Sequence, residues 1–283
     1  MSSIKVFWVL IYFIVSNISL AQNTSFDLPE EIVQQLPLLM VDRKTDDPDS
    51  YMITEELVGV VLPQKSYRVT LEGLVVKQQS DNKAVSYAFY DSQVLPPFIS
   101  VSGEWVQAEK AEGSNANILG GNGRLKIGNK TLAIPVAQTN SANLEYYGAR
   151  MLKFGDEVIF ETDRALPVFR MQIGINYAKN YLLKNNFGGG FYLEYHDMPH
   201  FHMPLNEESG GYLILGKKAE NNSYHLSAFS IPFGAAIYTP GNVIHDDALL
   251  VGSYQVVYSV TENFSTVTVT GPEGSPVNVQ AIE

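Results

Sequence analysis

Apolar and polar residues alternate along most of this chain, and that period of two constrains its fold more than any other feature. In SYRVTLEGLVV (66–76) Tyr67, Val69 and Leu71 share a parity; in AVSYAFYD (84–91) Val85, Tyr87 and Phe89 do; STVTVTG (265–271) repeats the pattern near the C-terminus. Successive side chains of a strand point to opposite faces, so these runs describe half-buried strands. Turn-forming clusters such as LGGNGR (119–124), KAENNSY (218–224) and TPGN (239–242) separate them. Helix signals are confined to DLPEEIVQQL (27–36), with Asp27 as a candidate N-cap, and NYAKNYLLKNNFGGG (176–190), closed by three glycines. The expected fold class is all-β.

The N-terminus is different. MSSIKVFWVLIYFIVSNISLAQ carries Lys5, then an apolar stretch from Val6 to Val15, then the small-residue exit SLA before Gln22. This order is that of a secretory signal peptide and is too short for a membrane span. The expected organisation is therefore a signal peptide over 1–21 cleaved after Ala21, an N-terminal β-rich region over 22–150, and a second β region over 151–283. The boundary falls in the polar stretch VAQTNSANLEYYG (136–148). The location implied is secreted or periplasmic, with no stable membrane anchor after cleavage.

The chain has no cysteine, so neither disulfides nor a lipidated cysteine enter the account. Its formal charge is −11, and loss of Lys5 with the leader takes it to −12. Nucleic acid and anionic lipid reward Lys and Arg, so neither is an expected partner. The glycines at 120–123 lack the lysine and hydroxyl of a phosphate-binding loop and read as a hairpin turn.

All five histidines, His196, His200, His202, His225 and His245, lie beyond residue 195. His200 and His202 are two apart, which on a strand puts both imidazoles on one face, able to converge on one ion. Glu207 follows after four residues, with Pro204 between to bend the chain, and Glu208 is the neighbouring alternative. His245 sits in GAAIYTPGNVIHDD (234–247), where an adjacent strand would bring it alongside as a fourth ligand. Three imidazoles and a carboxylate suit one divalent transition metal, Fe, Mn, Zn, Ni or Cu. Glu194 and His196 share the parity of His200, and His196 is the candidate for acid/base duty. His225 is a candidate to line the cavity, and Asp246 and Asp247 to orient an imidazole.

The arrangement H-x-H-x4-E (His200, His202, Glu207) followed by G-x5-P-x4-H (Gly234, Pro240, His245) resembles the two motifs of the cupin superfamily. Glu194 stands where that family usually carries a glycine. The resemblance spans roughly residues 185–262 and implies a C-terminal cupin-type antiparallel β-barrel, or double-stranded β-helix, preceded by the N-terminal β-rich region. It implies metal ligands at His200, His202, Glu207 and His245, and pairing of two copies as a homodimer. The implied activity is that of an exported metalloenzyme acting on a small oxygen-rich molecule by dioxygenase, decarboxylase, lyase or isomerase chemistry. The alternative is a non-catalytic barrel that binds a small ligand or sugar, or that serves structurally.

Overall fold

The computed structural model describes residues 28–76, 94–107, 116–117, 120–121 and 123–283. The leader over 1–21, the Asp27 cap and the alternating run 84–91 lie outside the described residues. Helix α1 (Glu30–Leu39) opens the described chain, entered through Pro29 with Glu30 and Glu31 in its first turn. Strands β1 (Asp42–Lys44), β2 (Tyr51–Val61), β3 (Ser66–Thr70), β4 (Gly73–Val76) and β5 (Ile99–Val106) follow. Next come β6 (Ala116–Asn117), β7 (Gly120–Gly121), β8 (Gly123–Ile127), β9 (Thr131–Pro135) and the short helix α2 (Ser141–Glu145), capped by the Asn140 side chain. Beyond it lie β10 (Arg150–Lys153), β11 (Glu157–Ile159), β12 (Leu166–Ile173), β13 (Tyr192–His196), β14 (His200–Pro204) and β15 (Gly210–Lys218). The chain ends with β16 (Ser223–Phe229), β17 (Ala235–Thr239), β18 (Ile244–Val257), β19 (Phe264–Thr270) and β20 (Asn278–Ile282).

The protein is mostly strand, and its principal sheet is large and mixed. β18 is its axis. The first half of β18 pairs with β15 and, through Glu194↔His245, with β13; its second half pairs with β12 and β14. Around the first half, hydrogen-bonded neighbours run β18–β13–β19–β8–β5–β16–β15 and return to β18. Around the second half, β1–β2–β12–β18–β14–β17–β10 form an open set. Ladders are antiparallel except β19–β8 and β20–β9. Strands from before residue 150 thus share both sets with strands from after it.

Two apolar clusters hold these layers. The larger contains Leu193, Leu215, Leu226, Phe229, Tyr254 and Val267; the smaller, under the β11–β3–β4 sheet, contains Tyr67, Val69, Phe160, Phe201, Met203 and Tyr238. Tyr67 and Val69 share the buried face, as their spacing predicts, but Leu71 is 57% exposed because the chain has already entered the turn to Gly73. The helix expected over 176–190 is only a π-helical turn, Ala178–Leu182. The chain doubles back on it: Gly188 N–H donates to the Tyr181 carbonyl, and a Cβ on Gly188 would stand 2.6 Å from the Leu182 Cα. Glycine's missing side chain permits that return and ends the helix early.

Candidate metal centre

β13 ends at His196 and β14 begins at His200, yet the two do not pair. β13 belongs to the returning set of strands and β14 to the open one, so residues 197–199 form a corner between sheets. The Asp197 carboxylate fixes this corner, accepting from Thr261 Oγ1 at 2.7 Å and Asn263 Nδ2 at 2.8 Å. Gly241 packs so closely that a Cβ there would be 2.2 Å from the Asp197 carbonyl oxygen. Pro199, with no N–H to donate, falls at the corner rather than inside a ladder.

Strand parity then aims the side chains. On β14, Phe201 and Met203 enter the smaller apolar cluster while His200 and His202 face the other way. On β13, Glu194 and His196 share a face, and Glu194 is the ladder partner of His245. Glu194, His196, His200 and His245 each present one ligand atom, and those four atoms lie within 4.8 Å of one another. Ring centroids are 4.5 Å apart for His196–His200, 4.5 Å for His200–His245 and 5.0 Å for His196–His245. Donors bound to one ion at about 2.0–2.2 Å stand roughly 3–4.4 Å apart, so small side-chain adjustments close the set. The cluster could hold a metal ion.

The hydrogen bonding suits that use. His245 Nδ1 lies 2.8 Å from the Val243 carbonyl, which accepts its proton and turns Nε2 toward the cluster, 3.5 Å from Glu194 Oε1. Thr266 Oγ1 donates to the other Glu194 oxygen at 3.2 Å. The three imidazoles are 2–6% exposed, and His196 Nδ1 and Nε2, His200 Nδ1 and His245 Nε2 make no hydrogen bond of good geometry among the described residues. Buried nitrogens without partners are costly, about 1–3 kcal/mol each, and a ligated ion would satisfy one on each ring.

Burial, reinforced by neighbouring imidazoles, holds His200 well below the usual histidine range, and burial with His245 takes His196 down to about 4. Both are neutral near pH 7, the form that ligates. Burial would raise the Glu194 carboxyl, but His245, by contact and charge, outweighs it and keeps the carboxyl low. Burial likewise lowers His245 less than the facing Glu194 raises it.

Beside this cluster stands a second polar group. The ladder between β15 and β18 slips: Tyr212 pairs with Leu249 and Ile214 with Asp246, leaving Asp247 and Ala248 on a bulge. Ala248 N–H donates to Asp246 Oδ1 at 3.3 Å, Tyr192 Oη donates to Asp247 Oδ1 at 3.2 Å, and His202 Nε2 lies 3.3 Å from Asp247 Oδ2. Burial and the charge of Asp247 push the Asp246 carboxyl well up, favouring its protonated form. Burial also raises Asp247, but the contact and charge of His202 outweigh it and leave a carboxylate.

His200 and His245, expected as ligands from the sequence, are both in the four-residue group. His202 is adjacent, its ring 5.6 Å from that of His200, but its Nε2 faces Asp247 rather than the cluster. The carboxylate in the group is Glu194. Glu207 and Glu208 stand exposed in the turn between β14 and β15, outside it. His196, expected in acid/base duty, falls within the four-residue group, and Asp247 contacts His202, as an orienting acid would. His225 is remote: it stacks on Phe98 with centroids 3.9 Å apart and shares a hydrogen bond with Tyr146. The missed carboxylate had one signal, the spacing Glu194–x–His196 on a single strand face.

No protein-family model matches the chain, and neither do any curated protein or solved structure with which it was compared.

Proposed function

We propose that this chain is an exported metal-dependent enzyme that holds one divalent transition metal on Glu194, His196, His200 and His245 and acts on a small oxygen-rich molecule. The observation that carries the reading is the convergence of four ligand atoms within 4.8 Å from three strands, with buried imidazole nitrogens that lack a well-formed hydrogen bond among the described residues. Three imidazoles and one carboxylate suit iron, manganese, zinc, nickel or copper, whose binding would displace the proton that Glu194 favours on His245. Such an ion supplies Lewis acidity or, if redox-active, dioxygen activation, within the range of dioxygenase, decarboxylase, lyase and isomerase chemistry.

The chain's own residues supply orientation and proton handling. Val243 fixes the His245 tautomer, Thr266 holds the second Glu194 oxygen, and the His202–Asp247 pair offers a proton donor and acceptor next to the ligand set. In this reading the returning circuit of strands around the first half of β18 is a cupin-type barrel, and the apolar N-terminal segment is its export signal. Burial of all three ligand histidines favours a second reading, a non-catalytic barrel in which the ion is a structural staple.

Elemental analysis of the purified chain tests the proposal beside Glu194→Ala and a His200→Ala, His245→Ala pair. The expected result is about one equivalent of transition metal, lost from both variants. Absence of metal after reconstitution would overturn it. If metal is present, an ion that exchanges with small carboxylate or catecholate probes supports the enzyme, and an inert ion supports the staple.

A further inference from the structure

On the face of β13 opposite the ligand cluster, Tyr195 lines a cleft of about 880 Å³ that neither reading above uses. Its wall is aromatic. Trp105 lies between Tyr195 and Tyr224, with centroids at 5.4 Å and 5.5 Å, and its indole N–H donates to Ser265 Oγ at 2.9 Å. That bond fixes the ring before any ligand arrives, which lowers the entropic cost of contact. Across the cleft Tyr146 is held by His225, and Lys217 Nζ sits 4.5 Å above the Tyr146 ring.

The polar lining is mixed in sign. Glu104 and Glu145 face the same space as Lys217 and Lys218, and Asn222 and Asn242 add groups that both donate and accept. A purely apolar ligand would leave these groups unpaired, and a ligand of one charge would meet its own sign. A molecule with apolar ring faces and many hydroxyls satisfies both the aromatic wall and the mixed rim. The volume lies in the range that accepts a drug-sized molecule, here a short chain of sugar rings.

We propose that the Trp105–Tyr195–Tyr146 cleft is a binding site for a neutral oligosaccharide, independent of the metal centre. The proposal does not rest on the metal-dependent reading.

The chain has two tryptophans, Trp8 and Trp105, so the full chain carrying Trp8→Phe reports from Trp105 alone. Its emission is followed during titration with maltotetraose, cellotetraose, N-acetylchitotetraose and the acidic tetragalacturonate. Saturable change is expected with at least one neutral probe. By calorimetry, Trp105→Ala weakens that probe about tenfold or more. Because Trp105 also packs in the wall, Lys217→Ala and Glu104→Gln, both at exposed positions, serve as variants that spare the fold and weaken the same probe several-fold. Chelation of metal, or His200→Ala, leaves the affinity unchanged. No saturable binding by any neutral probe up to about 10 mM overturns the proposal. So does tighter binding of tetragalacturonate than of every neutral probe, or loss of binding on chelation, which would place the sugar at the ion instead.

Discussion

Replacing His196 with leucine separates what the cluster does for function from what it does for stability. His196 is 2% exposed, and both ring nitrogens lack a well-formed hydrogen bond. In metal-free protein this desolvation costs about 1–3 kcal/mol per unsatisfied group, whereas leucine is of similar volume and repacking costs less than about 1.5 kcal/mol. His196→Leu should therefore make the metal-free protein more stable at pH 7.5, by roughly 1–2 kcal/mol, or about 2–4 °C in Tm per kcal/mol. Acid should widen the gap. The folded pKa is pushed down to about 4, so between about 6.5 and 4 the unfolded chain binds a proton that the native His196 refuses. Native stability falls as pH falls through that window, by up to roughly 3 kcal/mol, and this share of the loss is absent from the variant. Metal should reverse the order, because wild type gains about 4 kcal/mol at a metal concentration a thousand times Kd and the variant, lacking one ligand, gains much less. Scanning calorimetry in chelator at pH 7.5 and 5, then with excess zinc, reads all three. A metal-free variant less stable than wild type, or an equal response to zinc, would refute the reasoning.

Three further outcomes follow from the geometry. Glu194→Gln should lower metal affinity by at least about tenfold, while Glu207→Gln, in an exposed turn, should leave it unchanged; competition with a chromogenic chelator compares them. Gly241→Ala puts a Cβ 2.2 Å from the Asp197 carbonyl oxygen and must open the corner that joins His196 to His200. It should cost about 1–3 kcal/mol in urea unfolding and reduce metal occupancy in the protein that remains folded. Phe201→Ala empties a fully buried site behind the imidazoles, where Phe201 meets Phe160 at 6.0 Å, and should cost about 3–5 kcal/mol, with metal stoichiometry retained below the unfolding transition.

How far the sequence could be read follows from what parity does and does not encode. Period two told β from α and put His200 and His202 on the face opposite Phe201 and Met203, which is how β14 lies. It could not tell which sheet a strand joins. The step from His196 to His200 looks like an interruption in one strand, whereas it is a corner between two sheets, and only the pairing partners of each side reveal that both imidazoles reach the same point. The bulge at Asp247 and Ala248 is invisible for a similar reason: an extra residue in a ladder has no signature until its partner strand is known.

The carboxylate shows the consequence. Motif spacing points to Glu207, but its use requires the chain to bend back after Pro204, and Gly210 and Gly211, the latter at φ 75°, instead carry the chain away into β15. Glu194 needs no bend, because residues two apart on a strand already share a face. An acid at that distance from a histidine, opposite a histidine on the neighbouring strand, reaches the cluster at no added backbone cost. Local strand geometry is therefore the stronger guide to the carboxylate of the cluster, and the Glu194 and Glu207 variants decide whether that rule or the motif names the metal ligand.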